Sequence, residues 1–205
     1  MKKKKKIIIN LLIIGFSLLV YMIVTGAGFT PAMAHKRQER TINYGPSQIV
    51  KVVEKGASRF FLGQFNGYYS CSMVERGRLG LWYGARKGMW GMEIKEDKPI
   101  NFHHLYIYDD NQTFDELYVY GVINDERVKR IKLEFYLDDG GSKLETLTIE
   151  IGADEIFDNM FFSIIEKKGM KEYVVQKSIR AFNEAGQLIF EEDPNAVIYE
   201  ERYEG

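Results

Sequence analysis

The pattern of apolar positions along this chain changes character near residue 25. Before it, IIINLLIIGFSLLVYMIV (Ile7 to Val24) has no polar face: none of its eighteen residues is charged, and only Asn10, Ser17 and Tyr21 carry polar side-chain atoms. A helix of that length reaches about 27 Å, close to the roughly 30 Å hydrocarbon core of a bilayer. Beyond it, His35 to Pro46 is polar and irregular and reads as a linker. Ser47 to Lys55 fits a short helix with Ser47 as N-cap and Gly56 as its end, but its β-branched content fits a strand nearly as well. From Tyr68 onwards the apolar period is two, the spacing of strands with one buried face.

Tyr69, Cys71 and Met73 share one face of a strand over 68–74, with a turn at Glu75-Arg76-Gly77. Further strands are expected over 79–83, 89–94, 100–108 and 116–123. The clearest alternation is Val128 to Leu137, where Ile131, Leu133, Phe135 and Leu137 should face inward and Lys132, Glu134 and Tyr136 outward. Asp138-Asp139-Gly140-Gly141 then supplies hairpin chemistry, since Asp and Gly tolerate positive φ. The partner strand carries Leu147, Ile149 and Ile151; Ala153 to Asn159 reads as one helical turn, followed by a strand over 161–165. A final hairpin joins 173–182 to 187–190 through Asn183-Glu184-Ala185-Gly186. About ten short strands joined by tight turns predict a mainly β fold, an antiparallel sandwich or barrel-like domain preceded by one hydrophobic helix.

The leader begins with Lys2 to Lys6 and leaves its apolar run through Thr25, Gly26, Gly28 and Pro31, with Ala32-Met33-Ala34 beyond. Basic start, apolar core and small-residue exit form a signal-peptide pattern, although the core exceeds the usual 7–15 residues or so. The balance tips towards cleavage after Ala34, with an uncleaved transmembrane anchor as the alternative. In either case the lysines stay cytoplasmic and residues 35–205 cross the membrane. The expected organisation is a signal peptide or anchor over 1–34, a linker over 35–46, one extracytoplasmic β domain over 47–192 and an acidic tail over 193–205. The tail is flexible by default, with Val197-Ile198-Tyr199 able to add an edge strand.

The leader, VYGVINDERVKRIKLEF (Val119 to Phe135) and IRAFNEAGQLIFEE (Ile179 to Glu192) resemble small membrane-anchored or secreted extracytoplasmic proteins of Gram-positive bacteria. The shared features are a glycine strand, an acidic turn, an alternating strand and a closing hairpin. They specify strand and turn, so the resemblance implies a compartment and a β domain without carrying over an activity.

Composition narrows the partners. Of 28 basic residues the five leader lysines would leave with the leader, so 23 basic residues face 29 acidic ones after Ala34, a formal −6. That balance argues against nucleic-acid binding. The single cysteine, Cys71, allows no internal disulfide, so the fold rests on its apolar core.

Candidate chemistry is sparse. His103 and His104 are adjacent in an expected strand, point to opposite faces and are poorly placed to share a metal. His104 falls in phase with Phe102 and Tyr106 and reads as a half-buried, hydrogen-bonded residue. Asp109 to Glu116 spaces oxygen ligands at alternate positions, but Phe114 and Tyr120 stand where a calcium loop needs Gly and Glu. Cys71 reads as a core thiol. No catalytic, metal-ligating or cofactor-binding set is assigned. The one unusual segment is GRLGLWYGARKGMWGMEIK (Gly77 to Lys95), with both tryptophans and five glycines in nineteen residues. Trp82, Tyr83, Arg86 and Trp90 there form a candidate ligand-binding set that could stack on a sugar or hold an acidic group. Core filling by the tryptophans, with glycines making room, is the favoured account of the same residues. The functional expectation is a non-enzymatic binding domain at the cell surface, for a wall polymer or a surface protein. The alternatives are a cell-envelope hydrolase whose site only the fold would assemble, and a structural spacer.

Overall fold

In the computed structural model the uncharged run lies in one continuous helix, α1 (Lys2–Thr25), long and apolar enough to cross a membrane. The structure describes residues 2–77, 79–85, 91–106, 114–138, 144–170 and 173–193. They fall into two compact units, Met1–Glu93 and Ile94–Gly205, where the sequence suggested one β domain over 47–192.

In the first unit the segment expected to be a linker begins inside a second helix, α2 (Pro31–Thr41). Its start follows N-capping rules: the Thr30 hydroxyl accepts a hydrogen bond from the Met33 amide at 3.2 Å, and Pro31 occupies the first turn. Polar composition hid this helix because its buried face carries His35 and Glu39 beside Ala34. Antiparallel strands β1 (Gln48–Lys55), β2 (Ser58–Phe65), β3 (Tyr68–Arg76) and β4 (Trp82–Gly84) follow in that spatial order, with β5 (Met92–Glu93) pairing β3. The β-branched content of β1 thus prevails over its helix signals. Strand β2, unforeseen in the sequence, shows no period-two alternation: Phe60, Phe61 and Leu62 are consecutive and all buried. Asn66 and Gly67 link it to β3 with φ of 48° and 77°, the left-handed pair of a tight hairpin. One sheet face packs on α2, where Ala34, Phe61, Val74 and Trp82 form a small core.

The second unit is the expected sandwich. One antiparallel sheet has the order β10 (Ile156–Phe157), β11 (Met160–Met170), β7 (Phe114–Ile123), β6 (Ile100–Tyr106). The other has the order β13 (Leu188–Glu192), β12 (Tyr173–Phe182), β8 (Arg130–Asp138), β9 (Leu144–Ile151). Leu117, Val119 and Phe161 from the first sheet meet Leu133, Phe135, Ile149, Ile151 and Ile179 from the second in one core. Ile131, Leu133, Phe135 and Leu137 are buried as their alternation required. Tyr136, on the outer face, is also covered, with the Lys177 ammonium 5.0 Å from its ring centre. The helical turn expected over 153–159 shrinks to a 3-10 turn, Ala153–Glu155, before β10. The expected turns at Asp109 to Thr113 and Asp139 to Gly141, and the tail from Pro194 on, lie outside the described residues.

Candidate functional site

Of the four residues singled out as a ligand-binding set, Trp82 and Tyr83 are described, and Arg86 and Trp90 lie outside the described residues. Trp82 is 9% exposed within the α2–sheet core, and its ring is covered by the Arg59 guanidinium of β2 at 5.3 Å. Tyr83 is half buried against the cluster of Met22, Ala27 and Leu81, and its hydroxyl lies 3.1 Å from that of Tyr21 on α1. The glycines of this segment give way to rings: a Cβ on Gly77 would come 2.5 Å from the Tyr83 ring, and one on Gly91 2.6 Å from the Tyr44 ring. Trp82 is therefore packed in the α2–sheet core, and Tyr83 packs against the cluster of Met22, Ala27 and Leu81.

The densest polar cluster stands elsewhere, between α2 and the sheet. His35 stacks on Phe61 with ring centres 4.4 Å apart, its Nδ1 lies 2.9 Å from Ser72 Oγ, and its Nε2 lies 3.3 Å from Glu39 Oε1. All three residues are buried. The Ser72 hydroxyl donates to Gln38 Oε1 at 2.9 Å, which leaves the His35 Nδ1–H to donate to Ser72 Oγ. Nε2 then faces the Glu39 carboxyl, and the ring gains a second proton only by pairing with it. Burial opposes that step and holds His35 below its ordinary pKa, partly offset by Glu39. Glu39 Oε1 also accepts the backbone N–H of Ser47 at 3.0 Å and the Ser47 hydroxyl, closing the α2–β1 connection.

Serine, histidine and glutamate in line suggest a nucleophile, its base and an orienting acid. The order of contacts and the burial decide otherwise. Ser72 is fully enclosed and spends its proton on Gln38, so it presents no hydroxyl to a substrate. The cluster works as a clasp. Sequence reading missed it because His35 and Glu39 were placed in a linker; Thr30-Pro31 ahead of them was the available helix-start signal, and their spacing of four puts both on one helix face.

His103 and His104, expected on opposite faces, lie with their rings 6.0 Å apart and roughly parallel, each packing on a different aromatic ring. The His104 ring meets Phe135 edge-on at 5.2 Å, inside the sandwich, while the His103 ring meets that of Tyr120 at 5.8 Å. Burial, with help from His103, lowers the His104 pKa to about 4 despite an opposing backbone hydrogen bond with Val174. Burial also pushes the Cys71 thiol up, out of the range of a reactive thiolate. Among the described residues no three His, Cys, Asp or Glu side chains converge on a metal position.

One open groove, of about 650 Å³, lies within the second unit. Glu96, Glu126 and Asp158 supply carboxylates around it, Lys129 adds a donor, and Ile123 and Val128 line it with apolar surface. Asn124 is held at its rim, its side-chain amide donating to the carbonyls of Lys95 and Lys98 at 2.9 and 2.8 Å. No protein-family model, no curated protein and no solved structure matches the chain.

Proposed function

We propose that this chain is an uncleaved, membrane-anchored binding protein whose β units face outward from a Gram-positive cell. The observation that carries the reading is the way residues 26–34 are built into the first unit. Gly28 and Trp82 exchange two backbone hydrogen bonds of 2.7 and 2.8 Å. Ala27 and Ala34 are essentially unexposed, and Thr30 caps α2. The Ala32-Met33-Ala34 stretch is thus helical, with Ala34 packed inside the unit, whereas a peptidase needs an accessible, extended substrate. Cleavage after Ala34 would strip the cap and two core residues from the unit it releases.

The junction with α1 is equally tight. Gly26 (φ 70°) turns the chain after the helix, and the Arg37 guanidinium donates to the Met22 carbonyl at 2.9 Å. This is a cation at the C-terminal end of the helix, where it complements the helix dipole. The apolar side chains of α1 are mostly exposed, Leu12 by 68% and Val24 by 79%, a surface suited to lipid and not to water. Lys2 to Lys6 place its N-terminus in the cytoplasm.

Binding without catalysis is supported by the burial of Ser72 and Cys71 and by the groove of the second unit. Its three carboxylates favour a cationic or donor-rich segment of a surface protein over an anionic wall polymer. The test is to express the full chain in a Gram-positive host and measure the N-terminal mass in membrane and medium. An intact chain in the membrane fraction is expected; a chain starting at His35 in the medium would overturn the anchor. For the groove, cross-linking in cells should capture a surface protein that the Glu126→Gln/Asp158→Asn double variant loses. Capture unchanged by those substitutions would remove the groove from the reading.

A further inference from the structure

We infer that the first unit is seated in the outer leaflet and does not stand above it. The turn bearing Leu79, between β3 and β4, and the side chain of Phe29 lie among the head groups and upper acyl chains of the bilayer that α1 crosses. This rests on the reading of α1 as an uncleaved anchor. Leu18 stands about 17 Å along the helix from Ile7 at 1.5 Å per residue. With Lys6 at the inner boundary of a roughly 30 Å core, Leu18 is still about 12 Å and Met22 about 6 Å short of the outer boundary, and helix tilt deepens both slightly. Yet Met22 of α1 already shares a buried cluster with Leu81, against which Leu18 and Tyr83 both pack, and the Tyr21 and Tyr83 hydroxyls meet. Leu81 and β4 therefore touch α1 at a level where lipid surrounds the helix. Sliding the helix outward to lift them clear would drag Lys5 and Lys6 into hydrocarbon.

The side chains at that level fit lipid. Among the described residues, Leu79 (71% exposed) and Phe29 (58%) are the most exposed large apolar side chains outside α1. They flank the contact: Leu79 is two residues from Leu81, within about 7 Å along the chain. Phe29 follows Gly28, which is paired with Trp82. The Tyr21 and Tyr83 hydroxyls, 3.1 Å apart, give this layer the polar-tipped rings that collect at membrane interfaces.

The experiment uses the full chain in phosphatidylcholine–phosphatidylglycerol vesicles, with an environment-sensitive fluorophore on Leu79→Cys or, separately, on Tyr68→Cys. Tyr68 is 42% exposed at the opposite end of β3, about 26 Å from Arg76 at strand rise. Cys71 is buried, so the unsubstituted chain gives the labelling background. Expected is blue-shifted emission from the Leu79 probe that is quenched by lipids carrying a nitroxide high on the acyl chain, with the Tyr68 probe quenched instead by aqueous iodide. If both probes answer only to iodide while the protein floats with the vesicles, the seating is wrong and the anchor reading survives. A blue shift insensitive to lipid nitroxide but dependent on protein density would assign the patch to a second copy of the chain, and overturns the seating. Protein that neither floats with the vesicles nor retains α1 overturns the anchor and the seating together.

Discussion

His104 shows how one residue acquires its role from what surrounds it. In sequence it is a histidine in phase with aromatics; in the fold its ring abuts Phe135 in the sandwich core. Its pKa falls to about 4 there, against about 6.5 in an unfolded chain. The folded state thus binds fewer protons than the unfolded state between those values, and stability falls as pH drops from about 6.5 to about 4. The loss attributable to His104 is of the order of 2–3 kcal/mol, after allowance for its partial exposure. Chemical denaturation of the detergent-solubilised chain at pH 7 and pH 4.5 should show it, and His104→Phe should flatten that difference. An unchanged pH slope in the variant would mean that His35 and His103, both also lowered by burial, carry the effect.

Helix α2 shows how a charged element is held inside. Glu39 faces Ser47 and His35, and Gly45 (φ 97°) leaves room for its carboxyl, which would lie 2.7 Å from a Cβ at that position. Removing the carboxylate leaves the half-buried Ser47 amide and hydroxyl without their acceptor and the buried His35 ring without its partner, a loss larger than that of one hydrogen bond. Glu39→Ala should cost about 3 kcal/mol, and Ser47→Ala, which deletes one donor while keeping the amide bond, about 1 kcal/mol. Thermal denaturation of the two variants side by side checks the ratio. Equal, small losses would show that the clasp does not hold α2 to β1. The element was hidden in the sequence because its polar residues face inwards: composition reads HKRQER as solvated, and only the three-dimensional partners Ser72, Phe61 and Ser47 turn two of them into core.

At the scale of the molecule, the anchor and the first unit share residues 26–34, so stability should record where the chain starts. A chain beginning at Gly26 keeps the Thr30 cap, the Gly28–Trp82 pair and buried Ala27 and Ala34; one beginning at His35 has none of them. The cap and two backbone hydrogen bonds sum to roughly 3 kcal/mol. The shorter chain should therefore unfold at lower denaturant, or fail to fold, in a side-by-side titration. Coincident transitions would make residues 26–34 dispensable and restore the cleaved leader.

The apolar helix, the β class, the inward residues of β8 and β9 and the closing hairpin are all determined by the sequence alone. The apolar length of a span, period-two alternation and turn chemistry are local properties that neighbours in the chain suffice to specify. Tertiary structure decided the rest. It divided the chain into two units, made a helix of the supposed linker and paired β2 with β3 across a run that has no period. It also brought His35 within reach of Ser72. Each of these depends on residues far apart in sequence excluding water together, and a burial shared across such distances leaves no local pattern.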